Sequence, residues 1–206
     1  PGDWLLQSRD LRVGIAATPR RARAFGVGAV LQVLDRDLAD AEPLRGADFF
    51  VRLDGREVEP RDGRFEPLLV RDTPTLRYRA HVPSPAGALE LTRDYHLEPG
   101  RRALHVRTRL ANRGRALAGS VVLGARLSWG GDAPFAPGLG LVATARDGVI
   151  PWVGRAVDGL ALAWTRPFGE IPASFTDDVH AASRTAGATE LRTPPAPLGP
   201  GAVAEE

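Results

Sequence analysis

The 206-residue chain has no cysteine, no methionine and no lysine, so every basic side chain other than histidine is arginine. Without cysteine there are no disulfides, no thiolate metal sites and no cysteine nucleophiles, and the redox compartment stays open. The missing methionine, a starting one included, leads us to expect a processed or excised segment, which leaves room for an upstream signal already removed. Residues 1–30 lack the basic start and apolar stretch of a signal peptide, and no apolar run approaches the roughly 20 residues that span a bilayer. No membrane span is expected. Only two tyrosines accompany the missing lysine, so little titrates between neutrality and high pH, and a net charge of just +2 yields a pI near 9.9. The high pI is therefore no nucleic-acid footprint. The longest basic clusters, Arg20-Arg21-Ala22-Arg23 and Arg101-Arg102, are short, and elsewhere arginine alternates with acidic residues. No nucleic-acid partner is expected.

What is present is ordinary for a globular chain: 43% hydrophobic and 25% charged residues. Short alternating runs separated by Gly, Pro and Asp clusters predict an all-β, antiparallel sandwich with little helix. Strands are expected at Trp4–Gln7, Leu11–Ala16, Ala29–Leu34, Phe49–Leu53, Leu68–Val70, Leu76–Val82, Leu89–Leu97, Ala103–Leu110, Val121–Ser128, Leu141–Ala145 and Leu160–Trp164. Residues 1–192 read as a single domain. Residues 193–206, rich in Pro and Gly, read as a turn or linker that begins a truncated final strand. Asp54-Gly55-Arg56 and Asn112-Arg113-Gly114 read as turns, and Arg61-Asp62-Gly63-Arg64 as a loop.

The clearest element is the hairpin around Glu98-Pro99-Gly100-Arg101. If Leu97 faces Leu104, Tyr95 lies opposite Val106 and Leu91 opposite Leu110 on a core face. The other face then pairs His96 with His105, Asp94 with Arg107 and Thr92 with Arg109. A third strand, Leu76–Val82, adds Arg77, Arg79 and His81 to this polar face.

Neither a nucleophile elbow, a phosphate-cradling loop nor a dinucleotide fingerprint occurs in its required context. Asp177-Asp178-Val179-His180 holds three metal-ligating types, but no second ligand pair accompanies it, so it reads as a surface loop and no metal is expected. His81, His96 and His105 need a nearby carboxylate to act as acid or base; otherwise they sit on a solvated sheet face. The loop Ser128-Trp129-Gly130-Gly131-Asp132-Ala133-Pro134-Phe135-Ala136-Pro137-Gly138 sets two aromatics beside a carboxylate, as amphipathic ligand sites do. Its bland alternative is that Trp129 and Phe135 plug one end of the sandwich. Trp152 and Trp164 share that ambiguity and lean toward the core.

The order Gly2-Asp3-Trp4-Leu5-Leu6, Leu11-Arg12-Val13, Tyr95-His96-Leu97-Glu98-Pro99-Gly100, Leu104-His105-Val106 and Leu110-Ala111-Asn112-Arg113-Gly114 resembles the galactose-mutarotase-like supersandwich. More narrowly, it is similar to the amino-terminal β-domain of large secreted bacterial proteins, many of them PHP-like metallohydrolases. In mutarotases the resemblance implies a catalytic histidine from an Asn-His-x-Tyr-Phe motif and a later glutamate base. The corresponding Ala125-Arg126-Leu127-Ser128-Trp129-Gly130-Gly131 has no histidine, so epimerase activity is not expected. PHP-like enzymes use His-x-His metal motifs, none of which occurs here, so their chemistry would lie in a separate downstream domain.

Three functions stay open. The leading one is a non-catalytic accessory β-sandwich without cofactor, from a larger secreted or periplasmic bacterial protein of a GC-rich genome. It would bind carbohydrate or position a neighbouring domain of the same polypeptide, with ligand contacts at Trp129, Asp132, Phe135, Asp94, His96, His105 and Arg107. The second is a sugar-acting enzyme that uses His96, His105, Asp94 and Arg107 as acid, base and anchor groups. The third is a structural or protein-interaction module that docks through the Trp129 to Gly138 loop.

Overall fold

The structure, a computed structural model, describes residues 2–19, 26–35, 44–70, 73–85, 87, 89–129, 133–142, 145–157, 160–166, 171–177 and 187–206. Among them there is no helix, and the strands are antiparallel. In chain order they are β1 (Trp4–Gln7), β2 (Leu11–Ile15), β3 (Val30–Asp35), β4 (Leu44–Leu53), β5 (Arg56–Glu57), β6 (Arg61–Val70) and β7 (Thr73–Val82). There follow β8 (Leu89–Leu97), β9 (Leu104–Asn112), β10 (Ser120–Trp129), β11 (Phe135–Ala136), β12 (Gly140–Leu141), β13 (Arg146–Ile150) and β14 (Trp152–Val157). The last are β15 (Leu160–Thr165), β16 (Ile171–Asp177), β17 (Gly187–Arg192), β18 (Ala196–Pro197) and β19 (Val203–Glu205). One sheet runs β1-β2-β3-β4-β10-β17-β16-β13, with β5 added to β4 and β18 to β10; a second runs β12-β11-β14-β15; a third runs β19-β9-β8-β7-β6.

The chain divides into two compact units. One comprises Pro1–Leu5, Arg12–Phe49 and Ala125–Arg192; the other comprises Leu6–Leu11, Phe50–Gly124 and Thr193–Glu206.

The second unit contains the five-stranded sheet, whose register follows from strict alternation. Leu97 pairs with Leu104, Tyr95 with Val106, Leu91 with Leu110, His96 with His105, Asp94 with Arg107 and Thr92 with Arg109. Leu76, Tyr78, Ala80, Val82, Leu89, Leu91, Tyr95, Leu97 and Leu110 are buried on one face. Arg93 shares that face by the same period of two; it is buried, and its Nε donates to Thr108 Oγ1 at 3.1 Å. Buried polar groups persist where they find such partners.

Several segments differ from expectation, among them β13, β14, β16 and β17, which form where no strand was expected. Arg61-Asp62-Gly63-Arg64 is not a loop but the start of β6, where the register slips between Arg61 and Arg64 as a β-bulge. Asp62 takes a left-handed φ of 54°, which aspartate tolerates. Residues 193–206, read as a turn or linker that begins a final strand, contribute β18 and β19, and β19 pairs with β9. Their proline spacing hides this pairing, because the hydrogen-bonding residues lie between and beyond the prolines.

In the first unit, β14 and β15 form a hairpin that pairs with β11 and β12. Its core includes Val153, Ile150, Ile171, Phe175 and Trp129. The expected strand Leu141–Ala145 is described only in part, as β12, and Arg20 to Arg23 lie outside the described residues.

Candidate functional site

The outward face of the five-stranded sheet concentrates the charged and titratable side chains. Its rows follow from register: Glu66, Arg77, Asp94 and Arg107 cross β6, β7, β8 and β9, and Thr75, His96 and His105 form the next row. Arg77 grips Asp94 with two bonds of 2.6 Å, from Nε and from the terminal guanidinium nitrogen. That contact raises the Arg77 pKa beyond its ordinary range, so the guanidinium stays charged. Arg107 bonds Glu205 at 2.6 Å, and Arg109 reaches the same carboxylate at 3.3 Å, so the terminal strand closes the charge ladder.

His96 and His105 stack with ring centroids 4.8 Å apart and planes 7° apart. His105 Nε2 lies 2.8 Å from Glu98 Oε2, and this hydrogen bond lowers the Glu98 pKa. Burial lowers the His96 pKa, and repulsion from His105 lowers it further, against the pull of Asp94 and Glu98. His105 and the Asp94–Arg107 row are thus engaged in stacking and ion pairs.

At the opposite end of the same face the bulge opens a cleft of about 230 Å³, lined by Asp62, Arg64, Arg79, Ala80, His81 and Glu90. The extra residue of the bulge builds it. Arg61 pairs with His81 and Arg64 with Arg79, so residues three apart on β6 match residues two apart on β7 and share their face. Arg79 makes only long ion pairs, 3.7 Å to Glu66 and 3.8 Å to Glu90, and its buried Nε has no hydrogen bond. Glu90 also accepts from Arg113 Nε at 3.1 Å. The cleft thus offers carboxylates, guanidinium groups and an imidazole to one small polar ligand. Sequence reasoning placed Arg79 and His81 on this face but missed Asp62, Arg64 and Glu90. A Gly preceded by Asp inside a polar stretch is the signal that a bulge leaves.

The remaining expected residues lie in the first unit. Trp129 is completely buried at the end of β10, and its indole Nε1 donates to Thr189 Oγ1 at 2.9 Å. It presents no ring face to solvent. Phe135 is 42% exposed and Trp152 37% exposed, their rings 5.6 Å apart at 37°. Phe135 pairs with Leu141, 70% exposed, and with Gly154, two residues from Trp152, so the three apolar side chains share one face of the four-stranded sheet. Asp132 lies outside the described residues, as do Asp178 and His180. Among the described residues no group of three or more His, Asp or Glu is placed to hold a metal ion.

No protein-family model matches the sequence, and no curated protein matches it. Solved structures do match. A galactose mutarotase-like protein from Lactobacillus casei superposes with a TM-score of 0.55 at 13% identity, over 99% of this chain and 97% of that one. A galactose mutarotase related enzyme from Lactobacillus acidophilus gives a TM-score of 0.52 at 10% identity, over 98% and 94%. The 4-alpha-glucanotransferase from Thermococcus litoralis gives 0.57 at 6% identity, over 98% of this chain but 36% of that one. All-antiparallel sheets and end-to-end similarity to these structures assign the chain to the galactose-mutarotase-like β-supersandwich fold.

Proposed function

We propose that this chain is a carbohydrate-binding β-sandwich domain and that the bulge cleft of the five-stranded sheet is its ligand site. The observation that carries the reading is the convergence of Asp62, Arg64, Arg79, His81 and Glu90 on one cleft. Carboxylates and guanidinium groups bond vicinal hydroxyls in pairs, and a site built to hydrogen-bond hydroxyls discriminates strongly against ligands that lack them. Two structural neighbours are described as a galactose mutarotase-like protein and a galactose mutarotase related enzyme, and a third is a glucanotransferase, which supports a sugar-related ligand. The fold spans only about a third of the glucanotransferase, which supports an accessory role within a larger protein. We take that protein to be a secreted bacterial one, of the PHP-like hydrolase type that the sequence resembles.

Titration of the full chain with mono- and oligosaccharides, followed by amide and side-chain chemical shifts, tests the reading. Saturable shifts centred on Arg64, Arg79, His81 and Glu90 are expected. No saturable shift with any saccharide overturns it. A second reading places the sugar on the aromatic face, favoured by the exposed Phe135 and Trp152 rings, whose apolar planes suit sugar stacking. Saturable shifts of the Trp152 indole, with a silent cleft, would decide for it.

A further inference from the structure

We infer that the ligand of the bulge cleft is an acidic saccharide, its carboxylate held between Arg64 and Arg79. This rests on the carbohydrate reading and names the ligand class within it. Arg64 and Arg79 are directly paired across β6 and β7. Like charges in directly opposed positions repel, and sheets normally avoid them or place an opposite charge between them. Here Glu66 and Glu90 flank the pair only at long range: Arg79 Nε faces Glu66 Oε2 at 3.7 Å without a hydrogen bond, and among the described residues the side chains of Arg61 and Arg64 make no hydrogen bond or ion pair.

Glu66 and Glu90 approach Arg79 only at 3.7 and 3.8 Å, longer than the distances of a charge-assisted hydrogen bond. Glu90 is meanwhile bonded to Arg113. A planar carboxylate matches the guanidinium fork, and one seated between the two guanidinium groups would bond their terminal nitrogens and screen the repulsion. Asp62 and His81, whose side chains make no hydrogen bond or ion pair among the described residues, are left to bond the hydroxyls of the same sugar ring.

The experiment is calorimetric titration of the full chain, at low salt, with galacturonate, glucuronate, galactose, glucose and sodium sulfate, in the native protein and in Arg64→Gln and Arg64→Lys. The uronates should bind roughly ten-fold or more tightly than their neutral counterparts. Arg64→Gln should lose about that factor for uronates alone, and Arg64→Lys, which keeps the charge without the fork, should lose part of it. Unfolding midpoints measured in parallel confirm that each variant is folded. Equal affinity for galactose and galacturonate overturns the inference and leaves the carbohydrate reading standing, whereas silence toward every sugar removes both. Sulfate binding as tightly as the uronates, or uronate affinity unchanged in both variants, also overturns it.

Discussion

A methyl group on Gly63 would fall on the phenol oxygen of Tyr78, with ring carbons Cε2 and Cζ at 2.6 and 2.7 Å. Tyr78 cannot retreat, since it is buried and its ring packs 5.0 Å from Phe65. Glycine is therefore required here by close approach, and the bulge that opens the cleft depends on that approach. Gly63→Ala should destabilise the protein by about 1–3 kcal/mol, the usual cost of overpacking a filled site, and should weaken cleft binding as well. Denaturant titration checks the first effect, and an unchanged midpoint would show that Tyr78 swings aside freely. Residues also show where sequence reading stops. Alternation puts Arg93 among core side chains, yet nothing local announces that Thr108, fifteen positions on, receives its bond. Trp129 reads equally as ligand platform or as plug, because the partner that engages its indole in the interior, Thr189, is sixty residues away.

The register of the β8–β9 hairpin was legible to the residue, since a turn with Pro and Gly fixes the loop and strict alternation fixes the faces, although β9 runs on to Asn112 where a strand end at Leu110 was expected. Strand β6 was not, because the bulge breaks alternation where Asp and Gly imitate a turn. The hairpin also makes a pH-dependent contribution with a definite sign. Burial and the neighbouring His105 hold the His96 pKa below its ordinary 6.5, so the unfolded chain binds more protons than the folded one in that window. Stability from this group is complete above pH 6.5 and is lost as pH falls toward the lowered value. Glu98 acts in the same direction further down: its pKa is depressed by the bond to His105, so its contribution is lost as pH falls from 4.5 through the depressed value. The unfolding midpoint should therefore rise from pH 5 to pH 7, and His96→Gln should flatten that rise. Ring-proton titration by NMR reads the His96 value directly, and a normal or raised value would refute the argument.

On the scale of the whole chain, the order of elements matters more than any one of them, because the five-stranded sheet is completed only by its last residues. Asn112, completely buried, donates from Nδ2 to the carbonyls of Ala116 at 2.8 Å and Leu198 at 3.0 Å, and its Oδ1 accepts from Gly114 N–H. Its backbone exchanges bonds with Ala202 and Gly201, while Thr108 and Glu206 bond each other twice. The segment that reads as a turn or linker leading into a final strand thus supplies the edge strand of the sheet, and the polar side chain that anchors it sits in what sequence marks as a simple Asn-Arg-Gly turn. Pairings such as Glu205 with Arg109 close loops of nearly a hundred residues, a topology that folds slowly and leaves the outer edge of β9 unpaired meanwhile. Removing residues 193–206 takes Leu198, Gly201 and Ala202 from Asn112, which keeps Ala116 and Gly114, takes the Glu206 backbone from Thr108, and strips Glu205 from Arg107 and Arg109. With about 0.5–1.5 kcal/mol net for each hydrogen bond exchanged for bonds to water, a total loss of ~3 kcal/mol is expected, which lowers the unfolding midpoint by roughly 6–12 °C. The exposed edge of β9 should also promote strand-to-strand association, visible as concentration-dependent light scattering. A truncated chain that stays monomeric and keeps its midpoint would mean that β9 tolerates an open edge and that the bonds to the tail contribute little to stability.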